Sequence, residues 1–228
     1  MPGNFSGLSR KAAYGNASKL FRPPDENYDE DDGMSVDWES RYQTGDMPWE
    51  KGAPSPGLVE YLKHNPPLDG RILVPGCGFG HDVRAISLPS NEVTGIDIAP
   101  SAIRGADAFP KVGRETYRLA DLFNLPPEFL GQFDWVWEHT CFCAIDPAMR
   151  RAYAQAVAGA LRRDGRLLAV FYLNPDHAGE GPPFGVTPAE LDAFFGDAFE
   201  LEREWTPEKN HPGREGRERM RLLHKRTT

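Results

Sequence analysis

The chain reads as a doubly wound α/β domain: a mostly parallel sheet, helices on both faces, and a terminal antiparallel strand pair. Three observations carry that reading. From residue 71 onward, short apolar stretches alternate with helix-like ones, as in sheets buried on both faces. The first strand runs straight into a glycine-rich turn, "ILVPGCGFGHD", Ile72 to Asp82. After residue 195, two strand-like segments follow each other with only Pro and Gly between them.

The elements follow in order. Strands are expected at "RILVP" (71–75), "EVTGIDI" (92–98), "ETYRLAD" (115–121), "FDWVWEH" (133–139) and "GRLLAVFY" (165–172). Helices are expected at 81–87, 100–108 and 147–162, the last opened by Asp146 as N-cap and Pro147 as first helical residue. Before the first strand, "PGLVEYLKH" (56–64) reads as a covering helix. "TPAELDAFF" (187–195) precedes the closing strands "FELEREW" (199–205) and "RERMRLLHKR" (217–226), placed on one sheet edge. Their arginines and lysines read as charge that blunts an exposed edge strand. Residues 1–33 are polar and end in "DENYDEDD", so they are expected to form a disordered or mobile acidic arm. Residues 34–228 then make a single domain, with 34–66 as a lid or covering segment.

Bulk composition narrows the function. At 228 residues, with 39% hydrophobic and 26% charged side chains, the chain holds one ordinary globular domain. A net charge of −8 argues against binding a phosphate backbone, so no nucleic-acid partner is expected. No apolar run approaches the roughly 18 residues of a membrane span, and no secretory signal is evident. Three cysteines, Cys77, Cys141 and Cys143, make no disulfide framework, and free thiols point to the cytoplasm. A monomer is the default.

The glycine loop limits the ligand. In doubly wound sheets, ligands bind beyond the carboxyl ends of the strands. There Gly76, Gly78 and Gly80 supply unusual φ values and leave no Cβ to hold a ligand away. A dinucleotide fingerprint would need its third glycine where His81 stands, and a P-loop would need Lys and Ser/Thr after the last glycine. Asp82 adds negative charge where a pyrophosphate would lie, although compensation of the helix dipole is an equally natural role. A ligand without phosphates fits better. Asp97, closing the second strand, can accept both ribose hydroxyls, with Ile98 beside it. Asp121, after the third strand, can accept from an adenine amino group, with the Leu122 backbone nearby. Adenosine carrying a sulfonium amino acid, S-adenosylmethionine, satisfies these conditions together.

The flanking blocks are specific. "DWESRYQTGDMPWEKGAPSPGL" (37–58), "LVPGCGFGHDV" (73–83), "GIDIAPSAI" (95–103), "ADLF" (120–123), "FDWVWEHTCFCAIDPAMRRAY" (133–153) and "GPPFGVTPAEL" (181–191) resemble the thiopurine S-methyltransferase family. The resemblance is strongest to its division of thiol, thiocyanate and halide methyltransferases, and it runs from about residue 37 to 195. It implies the class I S-adenosylmethionine-dependent methyltransferase fold. It also implies that 37–58 closes over the cofactor, with Trp38 and Trp49 in contact with it and Gly76, Asp97, Asp121 and Leu122 binding it. Tyr42 stands where plant relatives often carry Trp. The indoles would exclude water and lay electron-rich faces near a sulfonium.

The acceptor belongs at the tip of the fourth strand, where Glu138 and His139 sit beside Cys141 and Cys143. Their spacing hints at metal ligands, but a tetrahedral zinc site lacks its remaining partners, so no metal is expected. Cys141, Phe142, Tyr172 and Phe184 are expected to bound the acceptor pocket. Methyl transfer from a sulfonium to an anion is an in-line displacement that a dry pocket favours. Alignment alone can supply roughly 7–11 kcal/mol. A general base adds about 10²–10⁴-fold and matters little for acceptors already ionised. The candidate bases are His177, Asp176 and His139, in that order. The expected activity is S-methylation of a small thiol, hydrosulfide, thiocyanate or similar soft nucleophile, with halide also considered. Thiopurines or aryl thiols are the alternative. A nicotinamide-dependent oxidoreductase is opposed by the glycine spacing and Asp121, and a non-catalytic cofactor-binding protein by the lid tryptophans.

Overall fold

The computed structural model describes residues 36–173 and 181–227. The acidic arm expected over 1–33 lies outside the described residues, as do Asp176 and His177. The residues from Val36 onward form one compact unit.

The order of elements is α1 (Trp38–Thr44), α2 (Pro56–His64), β1 (Arg71–Pro75), α3 (His81–Ile86), β2 (Glu92–Asp97), α4 (Pro100–Asp107) and β3 (Thr116–Leu119). Next come β4 (Phe133–His139), α5 (Arg150–Ala160), β5 (Leu161–Tyr172), α6 (Pro188–Phe195), β6 (Phe199–Trp205) and β7 (Glu218–Lys225). The seven strands lie in the order β3-β2-β1-β4-β5-β7-β6. β1 to β5 pair in parallel, whereas β7 runs antiparallel between β5 and β6. The chain therefore reverses its direction of travel across the sheet between β1 and β4.

Strand alternation sorts the core into two layers. Ile72, Val74, Trp137, Leu168 and Val170 face α2, α3 and α4 through Leu58, Val83, Ile86 and Ala106. Leu73, Val136, Leu167, Ala169 and Phe171 face α5 and α6 through Tyr153, Val157, Leu191 and Phe195. Three local expectations change. Asp146 does cap Ala148 N–H at 2.8 Å, but Pro147–Met149 form one 3-10 turn and the α-helix begins at Arg150. That helix stops at Ala160 because Leu161 already pairs with Phe133, across an irregularity that puts Asp164 at φ 62°. The basic last strand is not the edge. β6 is the edge, and on β7 Arg221 is buried against Glu204 and Asp192.

Glycine is required where the glycine loop enters α3. Gly80 has φ 73°, and a Cβ there would stand 2.6 Å from the Tyr117 ring. Left-handed backbone with a side chain costs about 1–2 kcal/mol, and overpacking costs about 1–3 kcal/mol more. Gly80→Ala is expected to lower the unfolding free energy by about 2–4 kcal/mol in urea titration. A loss below about 0.5 kcal/mol would mean that Tyr117 moves aside freely.

Candidate active site

The site forms at the switch point between β1 and β4. These strands pair over only Ile72↔Trp135 and Leu73↔Val136, so their carboxyl ends diverge into the crevice where such sheets bind ligands. On the β1 side, Gly76 and Gly78 hold φ values of 57° and 52°. A Cβ on Gly76 would sit 3.0 Å from Cys141 Sγ, so the glycine loop lies directly against the turn after β4. The Gly78 N–H donates to Asp97 at 3.0 Å, and the Ala99 N–H donates to the other carboxylate oxygen at 2.9 Å. Burial raises the Asp97 pKa, and those two N–H groups oppose the rise. Each oxygen keeps a free lone pair for a hydroxyl.

The segment from Asp37 to Ser55 is ordered by ring–ring contacts and four carboxylates. Asp37 caps α1 through the Ser40 N–H, and Gly45 ends it at φ 76°. Trp38 and Tyr42 both meet the Trp49 ring edge to face, at 5.2 and 5.7 Å, and Tyr42 reaches Phe79 of the glycine loop at 5.4 Å. The Arg41 guanidinium lies over Trp49 at 4.6 Å. Glu39 accepts from the Ser101 N–H at 2.8 Å and the Ser101 hydroxyl at 2.7 Å, capping α4, whose own N-cap residue Ala99 supplies no side-chain bond. Glu50 lies 2.9 Å from His81. Asp82 Oδ1 accepts the Ser55 N–H at 2.6 Å.

Asp82 has further partners. Its Oδ2 takes the Trp137 indole N–H at 2.8 Å and stands 2.8 Å from His139 Nδ1. Burial pushes this carboxyl up, but His139 and the donated hydrogen bonds outweigh burial, and it titrates below its usual range. It is therefore an anion, and Nδ1 carries the proton it accepts. His139 Nε2 is buried without a hydrogen-bond partner among the described residues. His211 stacks on the same imidazole with centroids 6.1 Å apart and planes at 20°. A pocket of about 60 Å³ joins these groups, bounded by Gly76, Cys77 and Gly78, by Trp49 and Lys51, and by His139 and His211. A larger cleft of about 150 Å³ between α2 and β6 touches none of them.

The remaining expected residues divide. Ile98 is exposed beside Asp97, and Leu122 is buried. Asp121 caps the Phe123 N–H at 2.9 Å. Tyr172, at the end of β5, lies under the Arg214 guanidinium at 5.0 Å. Phe184 ties its strand-end segment to the β4 turn, donating its N–H to the Cys143 carbonyl at 2.7 Å. Phe142 is turned inward and packs among Tyr153, Phe171 and Phe195, away from the crevice. Glu138 also points inward, accepting from the Phe142 N–H at 2.8 Å and from the Tyr153 hydroxyl. Burial pushes the Cys141 thiol well up and that of Cys143 to about 12, which leaves little thiolate at neutral pH. Among the described residues no group of three or more His, Cys, Asp or Glu is arranged to hold a metal ion.

Sequence reasoning missed Glu39, the convergence on Asp82, and His211. Asp37 and Gly45 signalled the short helix that carries Glu39. Nothing local signals His211, which a long-range strand pairing brings to the site.

A cradle without Cβ atoms, a carboxylate at the end of β2, an aromatic lid, and no cation on the loop fit an adenosine sulfonium and not a diphosphate. Fold and site together define a class I S-adenosylmethionine-dependent methyltransferase. The model of the thiopurine S-methyltransferase (TPMT) family matches residues 34–222, and the chain belongs to that family. Thiocyanate methyltransferase 1 of Brassica oleracea is 36% identical over 183 residues, covering 78% of this chain and 79% of that protein. Thiopurine S-methyltransferase of Xanthomonas campestris is 28% identical over 184 residues, covering 72% and 83%. In fold, the chain resembles the 1,6-didemethyltoxoflavin-N1-methyltransferase of Burkholderia thailandensis, with a TM-score of 0.62 at 19% identity over 83% and 85% of the two chains. The protein is a methyltransferase that uses S-adenosylmethionine, on thiol-type acceptors. Among the described residues no helix is long and apolar enough to cross a membrane.

Two outcomes follow from this geometry. Glu39→Ala removes the cap on α4 and the main polar tie of α1. It is expected to cost about 1 kcal/mol in stability and to weaken S-adenosylmethionine binding several-fold by calorimetry; unchanged affinity would separate α1 from cofactor binding. Glu138 is the pH-sensitive group, because burial raises its carboxyl from 4.5 to about 7 against the Tyr153 and Phe142 hydrogen bonds. The fold holds its proton over a window where the unfolded chain releases it. Its stabilising contribution is therefore complete below pH 4.5 and lost as pH rises through about 7. That difference corresponds to roughly 3 kcal/mol. Between about pH 5 and pH 8 the wild type should lose about 2–3 kcal/mol more unfolding free energy than Glu138→Gln; parallel curves would refute the buried, protonated carboxyl.

Proposed function

We propose that the chain methylates a small, soft sulfur nucleophile, namely a thiol, hydrosulfide or thiocyanate, by in-line displacement at the mouth of the β1–β4 crevice. The observation that carries this reading is the pocket itself. It measures about 60 Å³ and joins the glycine loop to Lys51, His139 and His211. Cationic and nitrogen-bearing side chains at the acceptor end suit an anionic or ionising sulfur. The relatives agree in direction, since identity is higher to the thiocyanate methyltransferase than to the thiopurine enzyme.

The segment residues Trp38, Tyr42 and Trp49, with Gly76, Gly78, Gly80, Asp97, Ile98, Asp121 and Leu122, surround the cofactor in this reading, whereas Glu138 faces the core and holds the turn after β4. Cys141, Tyr172 and Phe184 frame the acceptor end. When bound, S-adenosylmethionine supplies the electrophilic methyl group; the chain aligns the acceptor and excludes water. Aryl thiols such as thiopurines are the second reading, favoured by the family match. Halide is a third acceptor of the same soft, anionic type. A labelled-methyl assay against thiocyanate, hydrosulfide, an alkyl thiol, a thiopurine and iodide tests this. Small sulfur acceptors are expected to exceed the thiopurine by at least about tenfold in kcat/KM, a gap of 1.4 kcal/mol in barrier. A thiopurine preference would install the second reading.

A further inference from the structure

His139 has one ring nitrogen fully committed and one fully idle. Nδ1 meets the Asp82 carboxylate at 2.8 Å, while Nε2 is buried with no partner among the described residues. A buried polar atom left unpaired is costly and calls for an explanation. The carboxylate fixes the tautomer that bears its proton on Nδ1 and leaves a lone pair on Nε2. The imidazole lies at the end of β4 and lines the same pocket as Gly76 and Gly78. His211, whose own Nε2 is equally unpartnered, stacks on it and holds the ring plane. Burial, then the neighbouring His139, lowers the His211 pKa. His211 therefore favours its uncharged form and adds little repulsion when His139 becomes charged.

We propose that His139 Nε2 is the general base for neutral thiol acceptors, with Asp82 and His211 as its positioning residues. This rests on the methyl-transfer reading above. The thiol proton passes to Nε2 as the sulfur forms its bond to the methyl carbon. The bond from that carbon to the sulfonium sulfur breaks, and its electron pair neutralises the sulfonium. The products are a methyl thioether, S-adenosylhomocysteine and an imidazolium, which Asp82 stabilises before its proton leaves to solvent. Thiocyanate, an anion throughout, needs no such step. The base therefore widens the acceptor range from pre-ionised anions to ordinary thiols.

The charged and titratable groups around the pair come from every neighbouring element: Asp82 from α3, Glu138 from β4, Lys51 from the lid, and Arg214 from the segment carrying His211. The test compares 2-mercaptoethanol with thiocyanate. In His139→Gln the ratio of kcat/KM for thiol over thiocyanate is expected to fall about 10²–10⁴-fold at pH 7. The deficit should shrink by at least about tenfold once the pH exceeds the pKa of 2-mercaptoethanol, an alkyl thiol roughly one unit less acidic than the cysteine value of about 8.5. Calorimetric affinity for S-adenosylhomocysteine should stay within about threefold, a shift below one tenfold step of 1.4 kcal/mol. Asp82→Asn should lower kcat for the thiol more than it raises KM.

A wild-type profile gives a check that needs no variant. With a base, thiol kcat/KM levels off well below the thiol pKa; direct capture of thiolate makes it climb tenfold per pH unit up to that pKa. The continuous climb would overturn the proposal, as would equal losses for both acceptors. So would loss of thiol selectivity in His177→Ala with His139→Gln unaffected. If the wild type methylates neither acceptor yet binds S-adenosylmethionine, the parent reading fails and takes this one with it.

Discussion

One carboxylate organises this molecule. Asp82, in the first turn of α3, accepts from the Ser55 N–H at the lid's end and from Trp137 and His139 on β4. Trp137 and His139 are two residues apart on one strand, so their side chains point to the same face and one carboxylate can reach both. Three segments that are distant in sequence are thus held at one half-buried anion. Leaving such donors unpaired costs about 1–3 kcal/mol each, and dismantling a buried charged network costs about 3–5 kcal/mol. The glycine loop, the lid and the strand tip keep their relative positions because separating any of them exposes that cost.

The sheet supplies the gap that this anion spans. β1 and β4 meet over two residue pairs and then part. Pro75 ends β1 without an N–H to offer, and the positive-φ glycines after it carry the backbone over toward Cys141. Asp97 reaches across from β2 to hold the loop through the Gly78 N–H. The crevice is therefore bounded by backbone and short side chains on the β1 side and by imidazole on the β4 side. Beside it, Trp38, Tyr42, Trp49 and Phe79 pack ring against ring, and Trp49 lines the crevice.

Much of this was legible in the sequence, for reasons that are local. "RILVP", "FDWVWEH" and "FELEREW" kept their boundaries as strands, and "PGLVEYLKH" kept its own as a helix opened by Ser55 and Pro56, because each carries its own local signal. The glycine loop was legible because its residue types are demanded by φ. What was not legible depended on pairing across the sheet. The order that places β7 inside β6 turns an expected charged edge into a buried Arg221 bridge. The same pairing delivers His211, from a Pro- and Gly-flanked connection, onto His139. Phe142 looked like a pocket wall beside two cysteines. The inward turn set by Glu138 puts it in the core instead.

That turn also explains why β4 ends as it does. Thr140 sits at φ 65°, a left-handed conformation that β-branched residues avoid at a cost of about 1–3 kcal/mol. The strain is held from both sides of the strand. Glu138 takes the Phe142 N–H on the inner face, and Phe184 donates to the Cys143 carbonyl beyond it. A relaxed residue at 140 would let the strand run on and carry the tip away from the glycine loop. The alternation of β4 then gives two carboxyls opposite fates. Glu138, buried against Tyr153, is pushed up by burial to about 7 and so takes a proton far more readily than Asp82. Asp82, on the other face with donors converging on it, is held charged. A readily protonated carboxyl suits the apolar layer beneath it, whereas an anion is what an imidazole needs behind it to take up a proton. The strand separates structural from chemical duty by nothing more than its two-residue period.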